Sequence, residues 1–220
     1  MERIADKGDR IEAVKRLFLY VLLPLGLVLV VVLGYAYLSD VPVTDLLRDP
    51  SATLDGPWYT GIFSTAGVAL WASTAAMCLL TLSTKPTGGA RSLLLAGAVI
   101  SLILGFDDGL LIHETVKNGV GIPSPVTIGI YGIVAIVMLR PAWRYLLSRP
   151  ELGVFLVAVA LFAVSAVLDA AGEADLPIPP LAAPIEDMAK FLGIVTWTAF
   201  FAWISGDSIR SRMTAQTTSV

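Results

Sequence analysis

Polar and apolar positions along this chain fall in long blocks and not in short periods. A charged prelude, Met1 to Arg16, precedes an apolar run from Leu17 to about Leu38. Further apolar runs cover approximately 60–82, 92–117, 126–143, 153–171 and 184–204. Each holds roughly 18 to 26 residues, the length a helix needs to cross a hydrocarbon core about 30 Å thick, with tilt for the longer ones. The blocks predict an all-α integral membrane protein, a six-transmembrane-helix bundle that forms a single transmembrane domain over residues 1–220. The first run exceeds the roughly 7 to 15 apolar residues of a cleaved signal peptide, so it reads as a retained signal anchor.

Polar stretches punctuate the runs. The longest lies between Ser39 and Thr60, and its TDLLRD segment predicts one short interfacial turn capped by Thr44. Thr81 to Arg91, with Pro86, Gly88 and Gly89, reads as a flexible turn, and Asn118 to Pro125 as a tight one. Ala171 to Pro184 carries Pro177, Pro179, Pro180 and Pro184, so it is expected to leave the helix and arch over the outer surface. The polar tail, Met213 to Val220, is expected to be disordered.

Composition supports the membrane reading: 56% of residues are hydrophobic and only 15% charged, outside the balance of soluble domains. Mean hydropathy is +0.78. Charge gives the runs a direction. Lys85, Arg91, Arg140, Arg144, Arg149, Arg210 and Arg212 fall in alternate segments from Asp40, Asp45, Asp49, Asp55, Glu173 and Asp175. The positive-inside rule then places both termini in the cytoplasm and the chain in the cell membrane as a multi-pass protein. The basic residues form no single patch and net charge is -3, which argues against a nucleic-acid partner. One cysteine and one histidine exclude an internal disulfide and a Cys/His zinc finger.

The candidate chemistry centres on FDDGLLIHE, Phe106 to Glu114, at the outer end of the third expected span. A carboxylate deep in a bilayer costs on the order of 2.5 to 3.5 kcal/mol, so Asp107 and Asp108 demand partners, water or protonation. On one continuous helix Asp107 and Glu114 would lie about 20° apart and roughly 10 Å along a single stripe, with Asp108 and His113 diverging from it. Gly105 and Gly109 would let a neighbouring helix approach. Asp169 and Glu173, Glu186 and Asp187, and Lys190 all fall at the outer ends of later spans. Plainer uses are open to several of them. Glu186 and Asp187 follow Pro184 in a helix's first turn, Glu186 can pair with Lys190, and Glu114 with Lys117.

Carboxylates with one imidazole suit a hard or borderline divalent metal ion, without choosing among such ions. The expected metal ligands are Asp107, His113, Glu114, Asp169, Glu173 and Glu186, with Asp107, Asp108 and Glu114 as candidate catalytic groups for metal-dependent hydrolysis. A small molecule or lipid would enter from the outer side, and the lipid bilayer is the other partner; the sequence names no protein partner. The alternatives are a proton- or cation-coupled transporter and a structural or assembly subunit whose acids pair internally. EDMAKFLG, Glu186 to Gly193, resembles the retinal-binding lysine helix of microbial rhodopsins in placing an acid one turn before a lysine. The expected span count falls short of that family's and no counter-ion helix matches, so no role is carried over. A membrane site of Asp and His is also loosely similar to hydrolases of the alkaline ceramidase type. Those use several zinc-binding histidines and this chain has only His113, so nothing is transferred from them either.

Overall fold

The computed structural model describes residues 19, 23–39, 61–174, 179 and 181–217. Residues 1–60 and 61–220 form two compact units, each taken by itself below. Among the described residues every regular element is helical. In the first unit, α1 (Leu23–Leu38) carries no charged residue, as the apolar run requires. Apart from residue 19, the expected start of that span lies outside the described residues, as does the outer loop with its Thr44 turn.

The second unit contains α2 (Ile62–Ser83), α3 (Gly88–Leu110), α4 (Ile112–Val120), α5 (Ser124–Leu139), α6 (Trp143–Leu147), α7 (Leu152–Glu173) and α8 (Ala182–Thr217). A 3-10 turn over Arg140–Ala142, beginning at Pro141's neighbour, joins α5 to α6. Among the described residues five segments are long and apolar enough to cross a membrane: Ile62–Ser83, Gly88–Leu110, Ser124–Leu147, Leu152–Glu173 and Ala182–Thr214.

Several expected boundaries need correction. The third span is not one helix over 92–117: it ends at Leu110, and Leu111 turns the chain with φ 49 and ψ 46, a left-handed conformation. Nothing in GLLIHE announces this, because leucine rarely adopts that region and costs on the order of 1 kcal/mol there. The break also removes the expected Asp107–Glu114 stripe. Pro184 does not belong to the arch but sits in the first turn of α8, where a missing N–H costs no helical hydrogen bond. The tail is helical as far as Thr217 instead of disordered from Met213.

Helices α2, α3, α7 and α8 share a core of Trp71, Leu93, Leu94, Phe155, Trp197, Phe200, Phe201 and Ile204. Close approach depends on glycine at two points. A Cβ at Gly97 would fall inside the Phe201 ring, and one at Gly105 would stand 2.9 Å from Cβ of Trp71. Two polar contacts inside this core run between helices: Thr74 Oγ1 donates to Thr198 Oγ1 at 2.9 Å, and Trp197 Nε1 donates to Ser101 Oγ at 3.0 Å. Helix α5 packs differently. It buries only Ser124, Thr127 and Leu139, and leaves Ile130, Ile133, Ile136 and Val137 exposed. An apolar face of this kind suits lipid. The loose seating of α5 leaves a cavity along its inner side.

The two ends of the unit differ in charge. At one end Arg149 bonds Glu151 and Asp207, and Arg212 donates to the Lys85 carbonyl. At the other end lie the junction of α3 with α4, the end of α7 and the start of α8, which carry the acids singled out from the sequence.

Candidate functional site

Asp107 is 5% exposed and receives three hydrogen bonds. The left-handed turn at Leu111 folds α4 back so that the His113 backbone N–H donates to Oδ1 at 2.9 Å. His113 Nδ1 stands 2.7 Å from Oδ2, and the Tyr131 hydroxyl donates to Oδ1 at 2.9 Å. Asp107 therefore does for α4 what an N-cap side chain does, satisfying an N-terminal amide that Leu111 cannot serve. An ionised carboxylate only accepts, so it selects the tautomer with the proton on Nδ1 and leaves the Nε2 lone pair free. No protein hydrogen bond reaches Nε2 among the described residues.

Asp108 points away from Asp107, as their separation on the helix requires. Its Oδ2 accepts from Trp71 Nε1 at 2.8 Å, and its Oδ1 is 2.6 Å from Lys190 Nζ. Lys190 thus pairs across the bundle with Asp108 and not with Glu186 on its own helix. Lys117 likewise pairs with Glu173 of α7, not with Glu114, and this ion pair straps α4 to the end of α7. That contact and the Glu173 charge raise the Lys117 ammonium above the ordinary lysine range.

The remaining acids divide. Glu114 is exposed, does not line the cavity and forms no ion pair or hydrogen bond among the described residues. Asp187 is exposed as well. Asp169 and Glu186 line the same cavity as Asp107, Asp108, His113 and Lys190, and Asp169 Oδ2 is buried without a partner among the described residues. Of the six expected metal ligands, Asp107, His113, Asp169 and Glu186 therefore reach one cavity, whereas Glu114 and Glu173 do not line it. Among the described residues no group of three or more His, Cys, Asp and Glu side chains is disposed to hold a metal ion.

The cavity measures about 750 Å³. From the acids it follows α5 past Gly132, Ala135, Ile136 and Leu139 to Arg140 and Trp143. The rise from Ile128 to Arg140 corresponds to roughly 18 Å of helix. One end is densely polar, the middle is hydrocarbon, and the far end carries a single guanidinium. Two contributors were not singled out from the sequence. Tyr131 and Trp71 are polar-tipped aromatics in mid-span and not at an interface, a placement that signals a buried hydrogen-bond acceptor nearby.

Helices of this length and apolarity, enclosing a polar site at one end of a greasy cavity, define an all-helical protein of the multi-pass membrane class. Within that class the chain belongs to the family described as "Domain of unknown function (DUF8692)", whose pattern matches residues 22–204. No curated protein and no solved structure matches the chain.

Proposed function

We propose that this protein spans the cell membrane six times with both termini cytoplasmic, and takes an amphipathic molecule from the bilayer into the α5 cavity. There its polar group meets the Asp107–His113 dyad, which opens outward. The observation that carries this reading is the hydrogen bond at 2.7 Å between His113 Nδ1 and a buried carboxylate, in a side chain that lines the polar end of a cavity whose middle is hydrocarbon. Such a dyad takes a proton from water or a hydroxyl at Nε2, while Asp107 holds the ring and stabilises the imidazolium that forms. The reaction class is hydrolysis: the water oxygen adds to an ester or amide carbonyl as Nε2 takes its proton, and the adduct collapses by breaking the acyl C–O or C–N bond, so that the alcohol or amine leaves with that proton. Asp108 is the ion-pair partner of Lys190 and sets the charge at the cavity head.

The test is product formation from membrane lipids by protein reconstituted in vesicles, followed by mass spectrometry. His113→Ala is expected to lower the rate on the order of a hundredfold or more. No product from wild-type protein across ester- and amide-linked lipids would sink the hydrolysis.

The divalent-ion reading rests on two donor atoms with no protein partner among the described residues, His113 Nε2 and Asp169 Oδ2. Stoichiometric metal in purified protein, lost in His113→Ala, would replace the free imidazole base by a metal-bound water. Ion transport draws less support: Ser101, the one hydroxyl of α3 between Leu93 and Phe106, is occupied by Trp197 Nε1. Between Tyr131 and Arg140 the α5 wall of the cavity is apolar.

A further inference from the structure

We infer that the amphiphile held in the α5 cavity carries a cationic headgroup, an alkylammonium, seated between Asp169 and Glu186, with its chain running toward Arg140. The inference rests on the reading of the cavity as a site for a bilayer-derived molecule and specifies that molecule's charge. Three observations converge. At the polar end four carboxylates, Asp107, Asp108, Asp169 and Glu186, face one lysine and one imidazole. The lysine is committed to Asp108 at 2.6 Å and the imidazole to Asp107 at 2.7 Å, and among the described residues neither bonds Asp169 or Glu186. Asp169 Oδ2 is buried with no hydrogen-bond donor among the described residues, an arrangement that costs stability until a donor arrives. Trp71, Phe162 and Trp197 wall the cavity, and Trp71 touches one of the acids, donating to Asp108; an aromatic ring beside a carboxylate favours a cation over a neutral or anionic group. An ammonium supplies three donors and a positive charge to this end. An anionic headgroup would have to sit at the opposite end, beside Arg140.

The length of the cavity fits a single extended chain, so dodecylamine, dodecanol and dodecanoate serve as probes that differ only in the head. His113 is the sole histidine and lines the cavity, so the ¹⁵N imidazole signals of full-length protein in detergent micelles report occupancy there alone. Dodecylamine at neutral pH is expected to shift these signals at concentrations at least tenfold below dodecanol. Asp169→Asn and, separately, Glu186→Gln are expected to erase most of that advantage while leaving the response to dodecanol intact. Retention of the dodecanol response also shows that each variant is folded. Equal potency of amine and alcohol, or tighter binding of dodecanoate, overturns the cationic headgroup while leaving the cavity as a lipid site. If none of the three shifts His113, the cavity reading falls with it.

Discussion

Asp107 is the residue on which the site depends, because it terminates one structural problem and begins a chemical one. It caps α4 and orients His113 with the same two oxygens. Tyr131→Phe removes one of its three donors and is expected to cost about 1 to 2 kcal/mol, read as a lower melting temperature in detergent. The Asp108–Lys190 pair calls for a double-mutant cycle. Asp108→Asn and Lys190→Met should each destabilise, and the double variant should recover part of the loss, giving a coupling on the order of 1 to 3 kcal/mol. Strict additivity would show that the two charges do not interact. Lys117 supplies a pH test outside the spans. Its ammonium is raised by the bond to Glu173, so the strap contributes fully below the ordinary lysine range, near pH 10.4, and is lost as pH climbs through the higher folded value. A side-chain NMR titration of Lys117 should therefore end above that of a free lysine, and Glu173→Gln should bring it back.

At the scale of elements, the seam between α3 and its neighbours is set by glycines whose space is already filled. Gly97→Ala would drive a methyl into the Phe201 ring, which is fully buried and has nowhere to move. The expected loss is about 1 to 3 kcal/mol. Gly109→Ala is the contrast: its Cβ would lie 3.6 Å from Val68, ordinary contact distance, so melting should be unchanged or slightly raised. A comparable loss at both positions would mean that the α2–α3 and α3–α8 seams are not packed as described. The small-residue spacing of Gly105 and Gly109 was legible as a place of close approach, and α2 occupies it through Trp71 and Val68. The break at Leu111 was not legible, because it falls on a leucine with no glycine, asparagine or proline beside it.

For the whole molecule, the orientation in the membrane can be checked with the chain's own cysteine economy. Cys78 is the sole cysteine and is buried, so an impermeant maleimide should leave native protein unlabelled on intact cells. Asn118→Cys, on α4, should become labelled from outside, whereas Thr87→Cys, before α3, should label only after the membrane is opened. The reverse pattern would invert the proposed topology and turn the cavity head toward the cytoplasm.

The sequence by itself determined where the chain is apolar long enough to become membrane helix, since a bilayer fixes that length and hydropathy is a local property. It also marked Asp107, Asp108, His113, Asp169 and Lys190, because polar groups inside such runs are costly enough to need a reason. Only the tertiary structure decided their partners. A single left-handed residue at position 111 replaced the expected Asp107–Glu114 stripe with the Asp107–His113 dyad, and helix packing gave Lys190 to Asp108 and Lys117 to Glu173. The cavity likewise follows from how loosely α5 seats against α3 and α7. Such outcomes depend on distances between helices far apart in the chain, and no local pattern of residues encodes those distances.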